Sequence, residues 1–143
     1  PVEPDPPTRA DIEEQWLSAL AGSRTVEQVS RWAELRLDAA PDVEELVLQG
    51  LLALQRLRHS DLPAADLSRL MSDELTAWRR ELQRYDDDPD GWDRQHLRRM
   101  ITSFARSHGD DRARVFGAKL VRHYGLRPED VDTALLAARI DDT

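Results

Sequence analysis

From Thr8 to residue 139 the apolar residues recur every three or four positions, and no feature constrains this chain's fold more tightly. That spacing places them on one stripe of a helix, whereas a half-buried strand would alternate, and no segment here alternates. Residues that start and stop helices cut the pattern into seven. Thr8 precedes a first helix at 9–21, with Ile12, Trp16, Leu17 and Leu20 inward, and Gly22 ends it. Thr25 with Gln28 makes a capping box for a second, 26–38, carrying Val26, Val29, Trp32 and Ala33. Pro41 suits the first turn of a third, 41–58, which is apolar around much of its circumference and so expected to be central. Gly50 in its middle costs about 1 kcal/mol of helix propensity, which points to close helix packing at that residue.

Beyond the Asp61-Leu62-Pro63 turn, helices are predicted at 64–85, 91–107, 111–124 and 128–139. The fifth turns Trp92, Leu97, Met100, Ile101 and Phe104 inward. The sixth rests on Val115, Phe116, Leu120 and Tyr124, with Asp110 or Asp111 as its cap. The fold class is therefore all-α, a bundle of about seven helices or a short helical-repeat-like array. Residues 1–7, polar and proline-rich, are expected to be disordered ahead of one all-α domain at 8–140.

Several chemistries are excluded or left without support. With no cysteine there are no disulfides, thiolate metal sites or cysteine nucleophiles. No apolar run approaches the roughly 20 residues of a membrane span, and the start lacks a signal-peptide pattern. His59, His96, His108 and His123 are too widely spaced for a compact zinc site, and no serine sits in a nucleophile motif. The chain reads as a non-enzyme that implies no cofactor. Arginine outnumbers lysine nineteen to one, Lys119 being the single lysine, which suits a high-GC genome.

The net charge of −8 is unevenly spread. Residues 1–88 hold nineteen acidic and ten basic side chains, a net of −9, whereas 94–127 carries a net of +7. The acidic front suits a basic protein partner, in the manner of an immunity or inhibitor protein. Asp11, Glu13, Glu14, Glu34, Glu44, Glu45 and Asp73 would present the charge and speed association. The alternative is a nucleic-acid contact through Arg94, Arg98, Arg99, Arg106, Arg112, Arg114, Lys119, Arg122 and Arg127. The two helices that carry most of these are joined at Ser107-His108-Gly109 like a helix-turn-helix. An acidic pI near 5.0 runs against that alternative.

One further motif invites a metal. Asp86-Asp87-Asp88-Pro89-Asp90-Gly91 fits the opening of an EF-hand loop, with Asp86, Asp88 and Asp90 as calcium ligands. The twelfth position, where a bidentate glutamate should close the shell, is Leu97, and the eighth is Asp93. Glu81 or a carboxylate from another helix would have to substitute. Otherwise the aspartates cap the next helix.

Trp16-Leu17 with Leu20, the run from Thr25 to Ala33, Asp61-Leu62-Pro63, and the run from Leu70 to Leu75 with Trp78 form a pattern over residues 9–85. It resembles that of small acidic actinobacterial proteins of unassigned function. The resemblance implies a soluble, cytoplasmic bacterial protein and brings no catalytic residue with it.

Overall fold

The computed structural model describes residues 6–39 and 42–140. Among them are seven α-helices and no strand. They are α1 (Arg9–Ala21), α2 (Val26–Asp38), α3 (Glu45–Arg56), α4 (Ala64–Asp87), α5 (Pro89–His108), α6 (Asp110–Tyr124) and α7 (Pro128–Ile140). A single 3-10 turn, Leu57–His59, extends α3. The protein is all-α. Local capping chemistry fixes the first two helices. Thr8 Oγ1 accepts the Asp11 N–H at 3.2 Å while the Asp11 carboxylate accepts the Thr8 N–H at 2.9 Å. Thr25 and Gln28 repeat the exchange at 3.1 and 2.9 Å. No helix among the described residues is long and apolar enough to cross a membrane.

The chain packs as two compact units, Pro1–Gln83 and Arg84–Thr143, with the boundary inside α4 and close to the change in charge. The first unit is built around α3. α2 is tied to it by the Ser30 hydroxyl, which donates to the Gln55 carbonyl, and α1 crosses it at Gly50. A Cβ on Gly50 would stand 2.8 Å from Ile12 Cγ2 and 3.2 Å from Trp78 Nε1, so glycine here permits the close approach expected of it. α4 packs beside α1, where Trp78 donates its indole N–H to the Leu46 carbonyl at 2.8 Å. Its ring lies 5.3 Å from that of Trp16. Ile12, Val29, Leu51, Leu54 and Leu75 fill the interior, each contributing about 1.5–3 kcal/mol of burial.

The second unit is a three-helix bundle. Arg94 meets Asp130, Thr102 meets Ala134 and Arg106 meets Ala137, so α5 and α7 run in the same direction. α6 returns between them in sequence, its Phe116 ring stacked on Phe104 at 4.8 Å. Small residues set the spacing: Ala105, Ala113, Ala134 and Ala138 are buried, and a Cβ on Gly117 would stand 2.7 Å from Val131 Cγ1.

Where structure and sequence pattern differ, packing decides. Leu17, Met100, Val115 and Tyr124 are exposed. On α6 the buried stripe is Ala113, Gly117 and Leu120; the small Ala113 and Gly117 let the helices approach closely, and Val115 lies on the outward face. Three of the four tryptophans are buried, but Trp32 is only half-buried and lies under the Arg36 guanidinium at 4.4 Å. α3 starts at Glu45, because Glu44 is extended (φ −62°, ψ 155°) and pairs with Arg9. Pro41, its expected first-turn residue, lies outside the described residues, as do residues 1–5 of the terminal segment expected to be disordered. α6 has no side-chain cap: Gly109 occupies that position, and Asp110 instead accepts from Arg139.

Candidate interaction surfaces

Of the seven front carboxylates singled out in the sequence, Asp11, Glu13, Glu34 and Glu44 are engaged within their own unit. Asp11 closes the capping box of α1, and Glu44 is forked by Arg9. Glu34 takes both Nη groups of Arg58 at 2.8 and 2.9 Å, a bidentate pair that holds the Arg58 guanidinium above its ordinary pKa. Glu13 pairs with Arg79 across 66 residues of sequence. Glu45 accepts a long 3.5 Å contact from Gln49. Glu14 and Asp73 are exposed and form no ion pair among the described residues. The first unit still carries sixteen acidic and nine basic side chains, a net of −7.

One functional candidate escaped the sequence reading. Trp16, Leu52, Ala53, Ala77 and Trp78 wall a hollow of about 400 Å³, with Gln49, Arg56, Glu74 and Glu81 as its polar members. Glu74 is half-buried. Burial pushes its carboxyl up, opposed by the charge of Arg56 and by the nearby Trp16 indole N–H. Neither Trp16 Nε1 nor Glu74 Oε2 completes a hydrogen bond, although both are shielded from solvent. The sequence did hold a signal: Glu74 falls in phase with Met71, Leu75 and Trp78 on the inner side of α4.

The aspartates of residues 86–90 are not gathered for a metal. Asp86 and Asp87 belong to the last turn of α4, and α5 begins at Pro89, so one residue separates the helices where an EF-hand needs a twelve-residue loop. Asp88 spends its carboxylate as the N-cap of α5, accepting the Gly91 N–H at 3.1 Å. Gly91 serves that cap, since a Cβ there would stand 2.1 Å from Asp88 Oδ2. Asp90 lies in the first turn of the same helix. Among the described residues no group of three or more His, Asp or Glu side chains is gathered so as to hold a metal ion.

The basic stretch is likewise divided. Asp130, 6 % exposed, accepts the Arg127 N–H at 3.1 Å and Arg94 at 3.2 and 3.4 Å, with Arg98 at 4.0 Å. Burial pushes the Asp130 carboxyl up, but that hydrogen bonding and the two guanidinium charges outweigh it and hold the group below the usual carboxylate range. Arg114 pairs with Asp132 at 3.3 Å. Arg112, Lys119 and Arg122 project from α6 without an ion pair among the described residues. No family model, no curated protein and no solved structure matches this chain.

Proposed function

We propose that the chain is a non-enzymatic protein–protein interaction module whose front unit receives a basic protein partner, as an immunity or inhibitor protein does. The observation that carries this reading is the hollow beside Trp16 and Trp78. It sets a half-buried carboxylate among apolar walls on a unit of net charge −7. Interfaces draw most of their energy from a few anchors that enter such pockets, arginine prominent among them, while surrounding charge steers the encounter. Exposed Glu14 and Asp73 supply that steering here. The setting is the small acidic actinobacterial proteins that residues 9–85 resemble.

The test is affinity capture from an extract of the cells that make the protein, with and without nuclease, using wild type and two variants. A single basic protein held at stoichiometric level after nuclease treatment supports the reading. Glu14→Arg/Asp73→Arg should then slow association, and Glu74→Gln should speed dissociation. Capture that disappears on nuclease treatment refutes it and favours the nucleic-acid alternative, for which Arg112, Lys119 and Arg122 are the available contacts. A partner whose binding ignores all three substitutions also refutes it.

A further inference from the structure

The hollow beside Trp16 and Trp78 holds two polar atoms that the folding of the first unit leaves unused. Trp16 is 1 % exposed, and its indole Nε1 meets no acceptor among the described residues. Glu74 Oε2 is shielded in the same way and meets no donor. Both side chains line the one space of about 400 Å³. Buried polar groups normally find partners, so a donor and an acceptor left over in one hollow mark a place where an occupant completes the bonding. Leu52, 40 % exposed, adds an apolar lip to it. Arg56 lines the hollow as well, but its Nε donates to the Leu52 carbonyl of its own helix at 3.3 Å, and it acts on Glu74 through its charge. Burial works against the ionised Glu74, a penalty that a cation in the hollow would offset.

We propose that the occupant of this hollow is the guanidinium of an arginine side chain on the basic partner, with Glu74 as its acceptor and the apolar walls as its flanks. The inference rests on the partner reading above and specifies its anchor. A carboxylate has about four acceptor positions, so Glu74 can take the Trp16 N–H and a forked pair of donors together. A guanidinium supplies that fork. It is also planar and weakly hydrated, which suits walls built from Trp16, Trp78, Leu52 and Ala53. A lysine ammonium is a strongly hydrated point charge and would surrender more water to enter. A neutral amide would leave the charge of Glu74 unbalanced. Arg56 repels any cation there, so removing its charge should strengthen binding.

The experiment titrates the isotope-labelled full chain with ethylguanidinium chloride and, separately, ethylammonium chloride at constant ionic strength, following the Trp16 indole N–H resonance. Ethylguanidinium should shift that resonance saturably and bind about fivefold tighter than ethylammonium. Glu74→Gln should weaken it about tenfold, the loss expected of one charge-assisted hydrogen bond. Ala53→Leu, which fills the hollow and changes no charge, should abolish binding, and Arg56→Gln should tighten it. If Ala53→Leu fails to fold, Ala77→Leu on the exposed part of the same wall replaces it. Absence of saturation overturns the assignment. So does ethylammonium binding that is equal or tighter, or a shift that survives both Glu74→Gln and the filled hollow. None of these touches the partner reading, which falls instead when capture yields no basic protein. Guanidinium bound by a chain that captures no basic protein overturns the partner's arginine as the source and leaves a small guanidino compound as the ligand.

Discussion

Replacing Gly50 by alanine separates two opposed effects whose sum has a definite sign. In an exposed helix interior the change would stabilise by about 1 kcal/mol, because alanine is the better helix former. Here the new Cβ would stand 2.8 Å from Ile12 Cγ2, against an optimal carbon–carbon separation of roughly 3.5–4.0 Å. Ile12 is fully buried and cannot swing aside, and the 3.2 Å approach to Trp78 Nε1 strains its hydrogen bond to Leu46. Overpacking of this kind costs about 1–3 kcal/mol, and a weakened hydrogen bond about 0.5–1.5 kcal/mol more. Gly50→Ala should therefore destabilise by roughly 1–3 kcal/mol after the propensity gain is subtracted. Urea unfolding followed by tryptophan fluorescence reads the change, since Trp16 and Trp78 flank the contact. The double variant Gly50→Ala/Ile12→Ala should be less destabilised than the sum of the single variants, as the added methyl then fills part of the vacated space. A stabilised Gly50→Ala, or strict additivity with Ile12→Ala, would refute the close α1–α3 approach.

The second unit makes a parallel case at Asp130, whose removal leaves Arg94 and Arg98 without their buried partner. Asp130→Ala should lower stability by about 2–4 kcal/mol in chemical denaturation at neutral pH. Because the folded carboxyl lies below its unfolded value, its contribution is present above the unfolded pKa and lost as pH falls through the folded one. The acid-side loss of stability should accordingly shrink in the variant. Glu74 has the opposite sign: its raised pKa means that ionisation opposes folding above the folded value, and the penalty vanishes below the unfolded value. Glu74→Gln should therefore match or exceed wild type at neutral pH and lose any advantage in acid, as a melting series across pH would show. Asp88→Ala should cost about 0.5–2 kcal/mol through the lost cap of α5. Millimolar calcium should leave the melting temperature of both wild type and this variant unchanged. A calcium-dependent rise in wild type would restore the metal reading.

How far the sequence could be read depended on how local the deciding contact is. The Thr25–Gln28 capping box and the terminal glycines Gly22 and Gly125 need only neighbouring residues, so the helices appeared near their observed bounds. Gly50 was also legible, because a glycine inside a strongly apolar helix has few other uses. The acidic front was a different matter. Carboxylates such as Glu13 and Glu44 find arginines 66 and 35 positions away, and no spacing rule announces such pairs. The aspartates at residues 86–90 are ambiguous for a related reason. Capping and calcium ligation ask for the same residue types, and only the continuation of α4 through Asp87 tells them apart. Charge that is segregated along a sequence is thus spent largely in folding. Of the charged residues singled out in the sequence, Glu14 and Asp73 in one unit and Arg112, Lys119, Arg122 and Arg127 in the other form no ion pair among the described residues. Glu74 belongs with them for another reason, because its burial makes the carboxylate costly until something cationic arrives.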